Sequence, residues 1–147
     1  MKATRQLGIW MDYSMAYLME LSNGTIVSNT VESKPELQGD EQIVYKDESH
    51  MLNKIQRQLS AYYKKLSDVI LDYEEVVLFG PTEAKNELLN LLLDNHLFDK
   101  IKIAIKPTDK MTEIQKNAFV KDYFNKPRQN SKTLQNIILA FMYSEAG

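Results

Sequence analysis

The sequence contains no cysteine, and this absence excludes several chemistries at once. Without cysteine the chain has no disulfides, no thiolate metal ligands and no thiol nucleophile, which fits our expectation of a cytoplasmic protein. No apolar run approaches the roughly 20 residues that a membrane-spanning helix needs. The opening residues also lack an uninterrupted apolar stretch with a small-residue cleavage site, so we expect mature protein from the start and no membrane partner.

An excess of charge of one sign is missing as well. The formal net charge is −2, which argues against a protein that coats nucleic acid by bulk charge, so any basic surface must be local. With 44% hydrophobic and 26% charged residues, the composition is that of an ordinary globular protein. A length of 147 residues predicts one domain with its own core.

Residues 76–79 are a continuous apolar run, VVLF, typical of a strand buried on both faces. The breaker pair Gly80-Pro81 follows, and leucines then recur at helical spacing. Because proline suits the first helical position, we expect the helix to begin at Pro81 with Gly80 as its cap, and Gly80, Pro81 and Thr82 to make the strand–helix turn. A buried strand that leads into a helix indicates an α/β domain.

Three short strands are predicted before this unit, at residues 7–12, 16–21 and 25–31. Asn23-Gly24 favours a tight hairpin between the last two strands, because both residues tolerate positive φ. Asp12 and Ser14 suit the first turn, since their side chains bond main-chain groups nearby. The polar stretch 33–49 predicts a long, mobile loop.

A long helix is predicted next, from one apolar stripe. The stripe consists of Leu52, Ile55, Leu59, Tyr62, Leu66 and Val69. Opposite it stand Lys54, Arg57, Lys64 and Lys65, which a step of about 100° per residue places in one basic arc.

The remaining elements are an edge strand, a helix and a tail. Residues 100–106 alternate isoleucine with lysine, as expected of a strand at a sheet edge. Thr112 and Gln115 have capping-box spacing and predict the start of a further helix. The domain is predicted to cover residues 1–126, and residues 127–147 to form a linker and an amphipathic helix. The apolar residues of that helix are Leu134, Ile137, Ile138, Phe141 and Met142.

The order of these elements limits the topology. Right-handed crossovers and pairing of consecutive strands favour a mixed sheet in the order 3-2-1-4-5, with the first, fourth and fifth strands parallel. Helices on both faces complete a three-layer, ribonuclease H-like α/β fold.

Three stretches resemble one known family. They are GIWMDYSMAYLMEL, HMLNKIQRQLSAYYKKLSDVI with EEVVLFGPTEAKNEL, and KPTDKMTEIQKNAFVKDYF. Together, over residues 5–125, they resemble the middle domain of the class-1 peptide-chain release factors of archaea and eukaryotes, in a bacterial branch of that family. The most specific part is residues 80–87, where an apolar strand meets a Gly and then a helix opening with acidic residues and Lys.

The resemblance implies a setting in translation without the family's chemistry. The family's middle domain hydrolyses peptidyl-tRNA with Gly-Gly-Gln on a loop before its long basic helix. The matching stretch here, 33–49, reads LQGDEQ at its centre, with one Gly and no Gly-Gly-Gln. Asp40 and Glu41 would also put negative charge beside RNA phosphate. We therefore expect a non-catalytic, translation-associated binding module that needs no cofactor and has the ribosome or structured RNA as its partner.

The residues expected to contact RNA are Lys54, Arg57, Lys64 and Lys65, with Lys85 near the second helix start. Such cations give phosphate contacts whose affinity falls steeply with salt. The plain alternative is that the arc is only the solvated face of an amphipathic helix.

Two other functions stay open. The tail helix could instead make this a protein-interaction or self-associating domain, a homo-oligomer held by the apolar residues of that helix.

A metal-dependent nuclease is the other alternative. Asp12 ends the first strand, where ribonuclease H-like nucleases bind metal, but residues 76–79 supply no second carboxylate, so the turn-forming role of Asp12 is favoured. His50 and His96 lack a second ligand at metal spacing, and no metal site is expected. Trp10, Tyr62 and Tyr63 are expected to pack in the interior rather than to stack bases.

Overall fold

The computed structural model describes residues 5–33 and 48–125, where the elements follow in the predicted order. They are β1 Gln6–Met11, β2 Met15–Ser22, β3 Thr25–Glu32, α1 Glu48–Ile70, β4 Glu75–Gly80, α2 Ala84–Leu93, a single 3₁₀ turn His96–Phe98, β5 Lys102–Pro107 and α3 Glu113–Asn125. Because α1 begins at Glu48, the last two residues of the predicted loop are helical instead. Its first residue, Ser33, is described and bonds through its N–H to the carbonyl of Ser14. Residues 34–47, and the predicted tail helix with its oligomer contacts, lie outside the described residues.

The sheet has the predicted order, β3-β2-β1-β4-β5. β1 pairs with β2, and β2 with β3, in antiparallel register, whereas β4 runs parallel to β1 and β5 parallel to β4. This is a ribonuclease H-like α/β fold, in which a hairpin-led meander is extended by two helical crossovers.

Both turns of the meander form as the sequence predicts. Asn23 and Gly24 have φ of 51° and 81°, the positive values that a two-residue hairpin loop needs. In the first turn, Asp12 Oδ1 accepts hydrogen bonds from the N–H groups of Ser14 and Met15, at 2.8 and 2.9 Å. The predicted turn role of Asp12 is therefore confirmed.

β4 lies between two apolar layers, so its run of four residues is buried on both faces. Val76 and Leu78 pack in the core under α1 and α2, whereas Val77 and Phe79 face α3 across the other side of the sheet. All four are 0% exposed. The alternation follows from the two-residue period of a strand, and it confirms the central position predicted for residues 76–79.

The predicted start of α2 is wrong by three residues. α2 begins at Ala84 with Glu83 as its N-cap, and Pro81 lies in the turn before it rather than in the first helical position. Gly80 is still part of β4, since its carbonyl accepts a bond from Thr108 N at 3.2 Å. Its φ is +142°, and a Cβ at this position would lie 2.3 Å from the carbonyl oxygen of Met11, so only glycine fits there.

The third helix begins at the predicted capping box. Thr112 Oγ1 accepts from Gln115 N at 3.2 Å, and Gln115 Oε1 accepts from Thr112 N at 2.9 Å. These two reciprocal bonds satisfy main-chain groups at the helix start. Across the described ranges, no helix combines the length and the apolar character that crossing a lipid bilayer would take.

Candidate nucleic-acid interface

The helix α1 is longer than the sheet on which it packs. Its 23 residues measure about 34 Å, whereas the six residues of β4 measure about 20 Å. Tyr62, in the middle of α1, bonds to the main chain of Asp12, which follows the last residue of β1. The first turns of α1 therefore extend beyond the end of the sheet.

This projection explains why part of the predicted apolar stripe is not buried. Leu52 and Ile55 are 58% and 45% exposed, whereas Tyr62 and Leu66 are 1% and 0% exposed. The first two members of the predicted stripe are thus exposed, whereas its later members Tyr62 and Leu66 pack in the core. Periodicity identifies the side of a helix that faces the sheet, but it does not tell where the sheet ends.

Three cations of the basic arc lie at the surface of α1, and the fourth is half-exposed. Arg57, Lys64 and Lys65 are exposed, and Lys54 is half-exposed. Eleven residues of helix separate the first and last of them, a length of about 17 Å. The arc is therefore a short basic strip that covers both the projecting part of α1 and the part packed on the sheet.

One acidic residue lies just past the end of this strip. Asp68 Oδ1 lies 3.8 Å from Lys64 Nζ one turn away, with 63% and 78% of the two side chains exposed. An exposed pair of this kind contributes little to stability and is screened by salt. Lys64 can therefore exchange this contact for a phosphate at small cost.

Lys85 does not join the strip, contrary to the sequence-based expectation. It is 4% exposed, and its Nζ donates to the carbonyl of Thr82 in the turn before α2. The ammonium group thus stabilises the strand–helix turn instead of facing solvent. Helical spacing alone could not predict that Lys85 is buried, because its burial depends on the conformation of the turn before α2, where Thr82 accepts its hydrogen bond.

A carboxylate with two phenol donors links α1 to α2. Tyr63 and Tyr13 donate to the two oxygens of Glu87, at 2.8 and 2.7 Å. Burial and then its bond to Glu87 raise the pKa of Tyr63. For Tyr13, its own bond to Glu87 is the main cause that raises the pKa. Both phenols therefore stay protonated as donors at neutral pH. This grouping was not predicted, since its members are far apart in sequence.

The aromatic residues considered as base-stacking groups lie in the interior. Trp10, Tyr62 and Tyr63 are 6%, 1% and 5% exposed, which confirms their predicted packing roles.

Lys116 of α3 lies against two aromatic rings. Its Nζ is 3.8 Å from the centre of the Trp10 ring and 4.4 Å from that of Tyr17. Burial lowers the pKa of Lys116, with Asp12 and Glu113 opposing the shift. The spacing of Lys116 to Val120 and Phe124 was the available signal for its burial.

The acidic and histidine side chains do not come together as a metal site in the described chain. Within residues 5–33 and 48–125, no three His, Asp or Glu side chains are grouped so that they could hold an ion. His96 Nδ1 lies 3.2 Å from Asp99 Oδ2, within its own turn of chain.

Solved structures with this arrangement include a Pelota protein from Archaeoglobus fulgidus. The likeness has a TM-score of 0.53 at 11% identity and covers 84% of this chain and 32% of that protein. A Pelota from Thermoplasma acidophilum gives 0.48 at 14% identity, covering 75% and 30% of the two chains. An archaeal translation termination factor gives 0.46 at 9% identity, covering 97% and 40%.

The first of these likenesses concerns the fold, and it agrees with the ribonuclease H-like topology. The chain spans about a third of the length of the solved structures that it matches. No protein-family profile matches the sequence, and no curated protein is similar to it in sequence.

Proposed function

We propose that this chain is a non-catalytic, translation-associated module that binds ribosomal or other structured RNA through the basic strip of α1. The observation that carries the proposal is the exposure of Arg57, Lys64 and Lys65 on one side of α1, with Arg57 on the projecting turns and Lys64 and Lys65 on the part packed on the sheet. The projecting turns can approach a folded RNA at a place from which the body of the domain would be excluded, and the cations on the packed part can contact phosphates beside it. Contacts of this kind go to phosphates and carry little sequence preference.

The translational setting comes from the three sequence stretches that resemble the bacterial branch of the release factor family. The Pelota likeness supports the fold on which that resemblance depends. Peptide release is not part of the proposal, because the sequence contains no Gly-Gly-Gln. The module would act by occupying its RNA site in the cytoplasm, without a bond-breaking step of its own.

Sedimentation with purified ribosomes tests the proposal. At about 50 mM salt the unchanged chain is expected to pellet with ribosomes, and at about 200 mM salt the pelleted fraction should fall steeply. A variant with Arg57→Glu, Lys64→Glu and Lys65→Glu should stay in the supernatant at both salt concentrations. If this variant pellets as the unchanged chain does, the proposal is wrong.

A second variant controls for the change of net charge. Lys106→Glu, Lys110→Glu and Lys121→Glu reverse three exposed lysines away from α1. Since the two variants have the same formal charge, a bulk electrostatic effect would weaken both equally. Loss of binding only in the α1 variant assigns the contact to the basic strip. Unchanged circular dichroism spectra of both variants exclude loss of fold as the cause.

A further inference from the structure

The outer edge of β3 presents main-chain groups that no strand in the described part of the chain covers. β3 is the terminal strand of the sheet, next to β2. Ser33 N donates to the carbonyl of Ser14 at 2.9 Å, which continues the β2–β3 ladder by one residue. In an antiparallel ladder every second residue bonds to the neighbour, so the odd-numbered residues of β3 bond to β2. The even-numbered residues, Ile26, Ser28, Thr30 and Glu32, direct their N–H and C=O groups outward.

A side-chain hydrogen bond on this edge agrees with the outward direction of the even-numbered residues. Thr30 N donates to the side-chain Oδ1 of Asn29 at 3.2 Å, a local bond that an inward-facing N–H would not need. Asn29 thus competes for one of the outward donors. Two residues before Asn29, on the same face of the strand, Val27 is 62% exposed, so its apolar side chain is open to contact.

The two edges of the sheet differ in how they are protected. β5, the opposite edge, contains Lys102, Lys106 and Pro107, the residue types that discourage pairing with another strand. β3 is eight residues long, TIVSNTVE, with one charged residue at its end and no lysine or proline. A long edge strand without these features is suited to accept a further strand.

We propose that β3 is a self-association surface, on which a second copy of this chain adds its own β3 antiparallel across a two-fold axis. In the register we favour, Asn29 lies opposite its own copy, and Val27 lies opposite the partner subunit's Val31. This register pairs the outward groups of Ser28 with those of Thr30 and places a valine against the most exposed apolar side chain of the strand. Glu32 then faces Ile26, so no like charges meet.

The absence of cysteine makes this register directly testable by disulfide cross-linking. Residues opposite each other at a non-hydrogen-bonded position have Cα atoms about 4.5 Å apart, within the range of a disulfide. Asn29→Cys should therefore form a covalent dimer on mild oxidation. Val27→Cys is the matched control on the same strand and face. Its two thiols would be separated by about four residues along the strand, roughly 13 Å, and should not cross-link.

Two further variants test the main-chain pairing itself. Ser28→Pro removes an outward N–H and leaves the ladder to β2 intact, so it should reduce the cross-linking of Asn29→Cys at least tenfold. Asn29→Ala frees Thr30 N from its side-chain bond and should lower the dimer dissociation constant in analytical ultracentrifugation. Circular dichroism shows whether each variant is folded.

Two outcomes would overturn the proposal. One is equal cross-linking of the Asn29→Cys and Val27→Cys chains, which would indicate random collision or another register. The other is a monomeric mass of the unchanged chain at all concentrations, in which case the edge serves a strand from a different protein or none. Neither outcome bears on the RNA contact, because the basic strip of α1 and the edge of β3 share no residue.

Discussion

The phenol of Tyr62 donates a hydrogen bond of 2.9 Å to the main-chain carbonyl of Asp12. This bond joins α1 to the turn after β1 and marks the point beyond which the helix extends past the sheet. Tyr62 is 1% exposed, and burial is the main cause that raises its pKa well above the ordinary range of a phenol. Tyr62 therefore stays a neutral donor at ordinary pH, and its bond adds to the packing that holds α1 on the sheet.

Removal of this donor should destabilise the domain. Tyr62→Phe keeps the ring and leaves the Asp12 carbonyl without its partner, so we expect the free energy of unfolding to fall by about 1–2 kcal/mol in urea titrations. Tyr13→Phe is the control, since Tyr13 is 39% exposed and its bond to Glu87 is at the surface. An equal decrease in the free energy of unfolding in both variants would contradict the larger contribution expected of the buried Tyr62 bond.

The domain should lose stability at alkaline pH. Burial and then the bond to Glu20, against the effect of Arg5, raise the pKa of Tyr73 from 10.0 to about 12. Because the folded pKa is the higher one, the stabilisation is complete below pH 10 and is lost as pH rises towards 12. Unfolding measured across this range should show a shallower decline for Tyr73→Phe. An unchanged slope in that variant would show that Tyr73 is not the group responsible.

Close contact between β1 and α3 should make Gly8 intolerant of a side chain. A Cβ at this position would lie 2.3 Å from Cγ2 and 3.0 Å from Cγ1 of Val120, a buried residue of α3. Gly8→Ala should therefore lower the free energy of unfolding by about 1–3 kcal/mol. Val120→Ala removes the two opposing methyl groups. When Val120 is already alanine, Gly8→Ala should lower the free energy of unfolding by less than it does in the unchanged chain. If the decreases from the two substitutions simply add, the contact between positions 8 and 120 is contradicted.

Asp12 should act through its two main-chain bonds. Asp12→Asn keeps an oxygen acceptor, so stability should change by less than about 0.5 kcal/mol, whereas Asp12→Ala loses both bonds and should cost about 1–2 kcal/mol. Thermal unfolding with and without added Mg²⁺ provides the measurement. A stabilisation by Mg²⁺ that disappears in Asp12→Asn would instead support the metal role considered for this residue.

Much of the fold could be predicted because its signals are local. Asn23-Gly24 specifies a hairpin, Thr112 with Gln115 specifies a helix start, and residues 76–79 specify a doubly buried strand. With the rule of right-handed crossovers, these signals lead to the sheet order. The start of α2 was misplaced because Gly80 remains paired in the sheet, a fact set by β5 and not by the local sequence.

The candidate site was predicted less completely, because exposure depends on contacts between distant parts of the chain. Arg57, Lys64 and Lys65 are at the surface as their spacing indicates. Lys85 is buried by the turn before α2, and Leu52 is exposed because α1 extends beyond the end of the sheet. The grouping of Tyr63 with Glu87 joins two helices, so no pattern within either helix could predict it.

The salt dependence of binding to ribosomes, compared between the unchanged chain and Arg57→Gln, tests the role of the basic strip most directly. Loss of one phosphate contact should weaken binding at every salt concentration and lower the slope of log affinity against log salt by about 1. Lys110→Gln, a neutralised exposed lysine away from α1, should leave the slope unchanged. An identical slope for the unchanged chain and Arg57→Gln would contradict a phosphate contact through Arg57, the exposed cation on the projecting turns of α1.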